Sequence, residues 1–313
     1  MTESFQPDLL RPLLRPLAMG GDELPQAAAY RRFYGLDLGR QRPQAQSRLG
    51  CFEVAGYRIV AQVWWPPRPR ATLLLMHGYY DHMGLYRHVL DWALGMGFAV
   101  LACDLPGHGL SSGSRASIGD FAEYQAVFQG LLAEAAALDL PKPWHLFGQS
   151  TGGAILLDHL LTGAPRQELG ETILFAPLVR PRGWSLSSAG YRLLRPFVES
   201  IPRRFTANTT DTEFLDFIQN CDPLQPRILP TAWVGALARW IPRIESAPRS
   251  DRSPLIVQGG ADLTVDWRHN LEVLRAKFRD PPLLLLPEAR HHLANERAAQ
   301  RQRYFDFLRE RLG

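Results

Sequence analysis

The sequence predicts an α/β protein with a mostly parallel sheet of eight strands, helices on both faces and an inserted helical cap. Short apolar runs without strict alternation are typical of buried parallel strands, and amphipathic stretches of helix length lie between most of them. A glycine-flanked serine at 148–152 marks a sharp passage from a strand to a helix. The stretch between residues 178 and 255 has no clear strand and is too long for a plain loop, which predicts the cap.

In chain order, an arm at 1–48 with short helical pieces precedes the core. The core comprises 49–179 and 252–313, and the cap comprises 180–251. Strands that alternate with helices through right-handed crossovers give a doubly wound sheet. We expect strands at 51–54, 57–65, 71–76, 98–103, 144–147, 172–178, 255–258 and 283–286. We expect helices at 86–95, 121–138, 153–161, 267–278 and 293–312.

Leucines recur in the arm with rough helical spacing. This pattern fits either an anchor lying on a membrane surface or an arm packed on the domain. We favour the packed arm because Pro7, Pro12 and Pro16 damage a long helix. The leucines are Leu9, Leu10, Leu13, Leu14 and Leu17.

Composition excludes several classes of function. The 313 residues carry a net charge of only +4, and nearly all basic residues are arginine without a basic run, so no nucleic-acid partner is expected. No His, Asp or Glu cluster has metal-ligand spacing and no phosphate-binding glycine loop is present, so no metal or cofactor is expected. We expect no membrane-spanning helix, because no apolar run reaches the roughly 18 residues required, and no secretory signal, because Pro7, Pro12 and Pro16 interrupt the first residues and Asp8 enters early. The three scattered cysteines, Cys51, Cys103 and Cys221, fit a reducing, cytoplasmic compartment.

The most informative motif is Gly-Gln-Ser-Thr-Gly at 148–152, which places Ser150 on a strand-to-helix turn. Such a turn strains the serine backbone, and glycines two residues before and after remove the clashes of a Cβ. The alternative is a glycine-rich turn with an ordinary surface serine. A nucleophilic role requires a base, a carboxylate and an oxyanion hole, and the chain offers a candidate for each.

The carboxylate and the base are expected after the serine, in that order. Asp262 follows the predicted strand 255–258, and we favour it over Asp266, which has the position of a helix N-cap. The base is His291 or His292, and chemistry alone does not separate them because adjacent side chains point in different directions. The Thr151 N–H and the N–H of Tyr79, after strand 71–76, are the expected oxyanion donors.

These motifs together resemble α/β-hydrolases of the monoacylglycerol lipase and lysophospholipase group, which overlaps the serine aminopeptidase grouping. The likeness covers roughly residues 50–312 and makes His291 the catalytic base with Ser150 and Asp262. It differs at Gln149 and Thr151, where the family usually has His and Met. The similar segments are His-Gly-Tyr-Tyr-Asp-His at 77–82, Asp-Leu-Pro-Gly-His-Gly-Leu-Ser-Ser-Gly at 104–113, the serine motif, Gly-Gly-Ala-Asp-Leu-Thr-Val at 259–265 and His-His-Leu-Ala-Asn-Glu at 291–296.

The resemblance implies hydrolysis of a single-chain lipid ester, a monoacylglycerol or a lysophospholipid, with no cofactor. We expect any contact with a membrane surface to involve the arm or the cap. Tyr80, Trp184 and Trp233 would line the acyl pocket, while His82 and His108 are expected to be structural hydrogen-bonding residues. Arginines of the cap could attract an anionic headgroup, but we favour a solvated face. They are Arg192, Arg195, Arg203 and Arg204.

Other activities of the same fold compete with this hypothesis. A small-ester carboxylesterase or an aminopeptidase would use the same residues, and a peptidase would need acidic groups in the cap to hold the amine. A ligand-binding protein without activity usually lacks a triad residue, and a dehalogenase needs Asp in place of Ser150. The acidic candidates of the cap are Glu199, Asp211, Glu213 and Asp216.

Overall fold

The computed structural model describes residues 5–17, 24–37 and 44–313. The strands are β1 (Gln46–Val54), β2 (Tyr57–Trp65), β3 (Ala71–Met76), β4 (Phe98–Cys103), β5 (Trp144–Gln149), β6 (Leu169–Phe175), β7 (Ser200–Pro202), β8 (Ile228–Pro230), β9 (Leu255–Gly259) and β10 (Leu283–Leu286). The α-helices are α1 (Pro7–Leu10), α2 (Pro25–Tyr34), α3 (Arg87–Gly95), α4 (Phe121–Ala137), α5 (Thr151–Thr162), α6 (Trp184–Leu194), α7 (Thr212–Asp216), α8 (Thr231–Ser246), α9 (Trp267–Lys277) and α10 (Ala298–Leu312).

Within the described residues, eight strands form one sheet in the order β1-β2-β4-β3-β5-β6-β9-β10. The pairs β1-β2 and β2-β4 are antiparallel. All the pairs that follow in this order, from β4-β3 to β9-β10, are parallel. All residues of β3, β4 and β5 are buried, because helices cover both faces. This is the predicted architecture.

The two faces of the sheet bury separate cores. On one face, α3 and α10 pack against the sheet together with the arm. On the other face, α4, α5, α8 and α9 pack against it. Because the parallel strands all point the same way, the loops after β3, β5, β9 and β10 meet at one edge, where such sheets bind ligands.

The arm packs on the domain, the alternative that its prolines favoured. Leu10, Leu14 and Leu17 are buried, whereas Leu9 and Leu13 are exposed. The prolines limit α1 to four residues, which are followed by a short 3-10 turn. No helix among the described residues is both long and apolar enough to cross a bilayer.

The region predicted as a cap differs from expectation in two respects. It contains a two-stranded antiparallel ribbon, β7 with β8, of three residues in each strand. In addition, α8 packs against α4 and α5 and belongs to the core of the sheet. Since β6 and β9 are parallel neighbours, the chain needs a crossover helix between them, and α8 fills that role.

Two predicted element boundaries shift for local reasons. The strand predicted at 172–178 ends at Phe175, because Ala176 adopts a positive φ of 43° and Pro177 follows. The helix predicted at 293–312 is a short 3-10 turn followed by α10. The strand predicted at 51–54 begins earlier, at Gln46, and the remaining predicted strands and helices lie within a few residues of the observed ones.

Candidate active site

The serine lies on a strained turn between β5 and α5. Ser150 has φ 52° and ψ −112°, a region that non-glycine residues rarely adopt. A Cβ on Gly148 would lie 2.5 Å from the backbone carbonyl carbon of Gly152, and one on Gly152 would lie 2.0 Å from the Met76 carbonyl oxygen. The two glycines are therefore required by close approach of the backbone.

Ser150, His291 and Asp262 form one hydrogen-bonded line. His291 Nε2 lies 2.9 Å from Ser150 Oγ, and His291 Nδ1 lies 2.7 Å from Asp262 Oδ2. Because an ionised carboxylate only accepts, Nδ1 carries the proton and Nε2 is free to accept one from the serine. This is the arrangement in which an imidazole acts as a general base on a hydroxyl.

Asp262 is held by its own loop. The N–H groups of Thr264 and Val265 donate to Asp262 Oδ1 at 2.8 and 3.2 Å. Burial raises the pKa of Asp262, but the charge of His291 and these hydrogen bonds outweigh burial and lower it. Burial likewise lowers the pKa of His291, yet the charge of Asp262 outweighs it, so the net shift is upward. The pair therefore stabilises a protonated imidazole, the state formed when the serine attacks.

The neighbouring candidates have other roles. Asp266 caps α9 by accepting from the His269 N–H at 3.4 Å. His292 does not face Ser150, and its Nε2 lies 3.2 Å from Asp81 Oδ1. The structure therefore joins Asp262 and His291 to Ser150 and leaves the two alternatives outside the line.

The loop at 77–82, which we call the oxyanion loop, passes over the serine. A Cβ on Gly78 would lie 3.5 Å from Ser150 Cβ. The next N–H, that of Tyr79, has no acceptor within the described residues. Thr151 is the first residue of α5, so its N–H has no partner inside the helix. Two such N–H groups beside a nucleophile are suited to hold a developing oxyanion.

Histidines of two glycine loops fix the backbone around the serine. His77 Nδ1 donates to the Gly78 carbonyl at 2.7 Å and its Nε2 accepts from the Leu105 N–H at 2.9 Å. His108 Nδ1 donates to the Pro106 carbonyl at 2.8 Å, and burial keeps its pKa well below the usual value. Both rings are therefore neutral hydrogen-bonding groups, as expected for His108.

The expected pocket residues lie near the oxyanion loop to different degrees. Trp233 stacks on Tyr79 with ring centroids 3.8 Å apart, and its Nε1 donates to the Tyr124 hydroxyl at 3.2 Å. The ring of Tyr80 lies 4.1 Å from that of Tyr79. Trp184, half-buried at the start of α6, has no hydrogen bond or ring contact with the serine line among the described side chains.

The arginines of the cap do not behave alike. Arg195 and Arg204 are exposed, as expected for a solvated face, and the side chain of Arg192 lies outside the described ones. For Arg203 the expectation was wrong. Its guanidinium lies 4.1 Å from the ring of Tyr80 and 4.2 Å from that of Phe205, and it donates to Gln225 Oε1 at 2.7 Å.

Two buried histidine–aspartate hydrogen bonds at the end of the oxyanion loop were not predicted from the sequence. One joins His292 to Asp81, and the other joins His82 Nε2 to Asp222 Oδ2 at 3.0 Å. A signal existed for the first pair, because Asp81 and His292 both stand where the resembled family has Glu. Asp222 is 140 residues from His82 and gave no such signal.

Known proteins resemble this chain in sequence and in fold. A family model described as serine aminopeptidase, S33, matches residues 67–298. Human monoglyceride lipase is 30% identical over 77% of this chain and 82% of its own length. A monoacylglycerol lipase of Mycolicibacterium smegmatis is 39% identical, but over only 33% of this chain and 37% of that protein. A soluble variant of Saccharomyces cerevisiae monoglyceride lipase, solved with a substrate analog, superposes with a TM-score of 0.70 at 20% identity, over 84% of this chain and 93% of that one.

Proposed function

The chain belongs to the S33 family of α/β-hydrolases, with the monoacylglycerol lipases, and on that premise we propose that this ester hydrolase forms an acyl-enzyme on Ser150. The observation that carries the proposal is the buried line from Ser150 Oγ through His291 to Asp262. Each hydrogen bond in it has the length and direction that proton transfer from a serine requires.

The reaction proceeds in two halves. Ser150 Oγ attacks the ester carbonyl carbon while its proton passes to His291 Nε2, and the carbonyl oxygen becomes an anion held by the Tyr79 and Thr151 N–H groups. As the C–O bond to the alcohol breaks, His291 returns the proton to the leaving oxygen. Water then attacks the acyl-enzyme by the same path and releases the acid and free serine. Asp262 remains ionised and stabilises the imidazolium.

The proposed substrate is a single-chain lipid ester with an uncharged headgroup, such as a monoacylglycerol. Relatives named for that activity support the class. Arg203, a cap arginine that contacts Tyr80 of the oxyanion loop, is already held between Tyr80 and Phe205 and bonded to Gln225. Its Nη1 donates to Gln225 Oε1 and to the Pro226 carbonyl, so this guanidinium supports the structure of the cap, and we expect no phosphate contact from it. Hydrolysis of monoacylglycerol is expected to exceed that of lysophospholipid, and an Arg203/Arg204 charge-removal variant is expected to leave the ratio unchanged.

A peptidase activity is less well supported by the cap carboxylates. Asp211 caps α7 by accepting from the Phe214 N–H at 3.0 Å, and Asp216 accepts from Asn220 Nδ2 at 2.8 Å. Glu213 lines a cleft of about 340 Å³ that arm residues also line. Hydrolysis of short p-nitrophenyl esters and aminoacyl anilides, measured beside monoacylglycerol, ranks the three activities directly.

Membrane contact is proposed through the cap and not through the arm. The arm buries Leu10, Leu14 and Leu17 in the core, and its exposed leucines, Leu9 and Leu13, are 55% and 40% exposed. By contrast, Leu186, Leu193 and Phe197, on or just after α6, are 83%, 72% and 84% exposed. Apolar side chains on a helix surface are suited to meet acyl chains at an interface. Cosedimentation with phosphatidylcholine vesicles, with a Leu193→Ser variant as comparison, measures this contact.

The test of the acyl-enzyme is labelling with a fluorophosphonate probe, followed by mass spectrometry of the labelled peptide. We expect one adduct, on Ser150. Ser150→Ala and His291→Ala should each abolish the adduct and lower the turnover at least about 10³-fold. Ser187→Ala, which changes an exposed serine of α6, is the matched control. Turnover retained in folded Ser150→Ala protein would exclude the proposed mechanism.

A further inference from the structure

We propose that Tyr34, on the arm helix α2, is a positioning residue for the oxyanion loop and acts through Asp222 and His82. The inference rests on the proposed function, because the loop matters only if it holds an oxyanion. Tyr34 lies before residue 67, where the match to the family model begins. Tyr34 therefore lies in a part of the chain that the family match does not reach.

One carboxylate joins three separate segments of the chain. The Tyr34 hydroxyl donates to Asp222 Oδ1 at 2.6 Å. His82, the last residue of the oxyanion loop, donates from Nε2 to Asp222 Oδ2 at 3.0 Å. Asp222 itself follows the short helical turn after α7. The arm, the oxyanion loop and the segment leading to β8 therefore meet at Asp222.

Asp222 is saturated with donors and buried. In addition to Tyr34 and His82, it accepts from the Leu224 N–H at 2.9 Å and from Gln225 Nε2 at 2.8 Å. Burial raises its pKa, but His82 and the hydrogen bonds outweigh burial and lower it to about 2. The group is thus an anion at neutral pH. A buried anion that loses a donor must find another partner, so the loss of the Tyr34 hydroxyl shifts its neighbours.

The neighbour with the least freedom is His82. Both of its ring nitrogens are engaged, since Nδ1 accepts from the Gly84 N–H at 3.2 Å. The ring also packs edge-on against that of Tyr34, with centroids 4.7 Å apart. Any movement of Asp222 therefore moves the His82 side chain and the backbone to which it belongs.

The oxyanion loop is short enough to transmit this movement. Only Tyr80 and Asp81 separate His82 from Tyr79, whose N–H is the proposed donor. The other end of the loop is fixed by His77, which bonds to the Gly78 carbonyl and the Leu105 N–H. Tyr34 and Asp222 therefore fix one end of the oxyanion loop and His77 fixes the other. The position and direction of the Tyr79 N–H depend on both ends. Small misplacements of such donors are costly for catalysis.

The chain provides a matched control one helical turn away. Tyr30 lies on the same helix and is also buried, but its hydroxyl has no hydrogen-bond partner among the described atoms. Tyr30→Phe and Tyr34→Phe therefore remove the same atom from the same helix, and only the second removes a hydrogen bond to Asp222.

The test measures kcat and KM for each variant on a short p-nitrophenyl ester and on a long-chain monoacylglycerol. Active sites are counted by fluorophosphonate labelling, so that any loss of folded protein is divided out. We expect Tyr34→Phe to lower kcat per labelled site roughly tenfold on both esters with KM unchanged, and Tyr30→Phe to match the wild type. Asp222→Asn is expected to lose at least as much, and the double variant Tyr34→Phe/Asp222→Asn no more than Asp222→Asn alone.

The outcomes separate the inference from the function on which it rests. Wild-type protein that labels on Ser150, with Tyr34→Phe and Tyr30→Phe equal per labelled site, overturns the role of Tyr34 and leaves the proposed function intact. Additive losses in the double variant overturn the route through Asp222. Wild-type protein that does not label overturns the proposed function and the inference together.

Discussion

Replacing Asp262 by Asn tests how strongly the carboxylate controls the tautomer of His291. The Thr264 and Val265 N–H groups fix an acceptor at Oδ1, so the new amide places its NH₂ at the Oδ2 position. That position lies 2.7 Å from His291 Nδ1, which must then accept instead of donate. The proton moves to Nε2, which can no longer take the proton of Ser150. A wrong tautomer of this kind costs about 10⁴ in kcat, or about 5 kcal/mol of transition-state stabilisation.

The same substitution shifts the pH dependence in a defined direction. The base must be neutral, so activity rises as pH rises through the pKa of His291. In the wild type the charge of Asp262 holds that pKa above its ordinary value of 6.5. Removing the charge lowers the pKa, so the acidic limb of kcat/KM for the residual activity moves to lower pH.

The assay is ester hydrolysis across pH 5 to 9, with folding checked by circular dichroism, and Asp266→Asn is the control. The control makes the same chemical change four residues away, at a helix N-cap where Asn serves as well as Asp. We expect its kcat within about twofold of the wild type. Equal losses in the two variants, or Asp262→Asn with a tenth or more of the wild-type kcat, would refute the tautomer argument.

Two further predictions concern packing and are measured by urea denaturation. Gly152→Ala is expected not to fold, because its Cβ would lie 2.0 Å from a carbonyl oxygen of β3, and soluble, active Gly152→Ala protein would contradict this. Gly190→Ala, whose Cβ would have nothing within 4 Å, should stabilise the protein by about 0.5–1 kcal/mol through α6. Asp158→Ala should cost about 1–3 kcal/mol, because the buried Trp240 Nε1, which donates to Asp158 at 3.0 Å, loses its acceptor. Arg243→Ala should cost at least as much, because it leaves the Asp158 carboxylate, whose side chain is 0% exposed, buried without its cation; a clearly smaller cost for Arg243→Ala would show that the Trp240 hydrogen bond matters more than the ion pair.

The parts of the site that rest on local backbone chemistry were predictable from the sequence. Glycines at 148 and 152 indicate a turn that only glycine permits, and the observed clashes explain why. The position of Asp262 after β9 follows from the edge of the sheet at which parallel strands end. The choice between His291 and His292 did not follow from chemistry, and it required the resemblance to known hydrolases.

The parts that rest on contacts between distant segments were not predictable. The strands β7 and β8 have three residues each, too few to show an alternating pattern. Tyr34 and Asp222 are 188 residues apart, and neither stands in a recognisable motif. The membership of α8 in the core follows only from the sheet order, which requires a crossover between β6 and β9.

The two roles of α8 have a consequence for engineering of substrate range. Trp233 of α8 stacks on the oxyanion loop, while Trp240 of the same helix is anchored in the core by Asp158. A library that randomises α8 would mix altered selectivity with unfolding in most of its members. Leu186 and Leu193 of α6 are exposed to solvent, so their replacement removes no core packing. Substitutions in α8 that aim at substrate range should therefore be introduced only with compensating changes in α4 and α5.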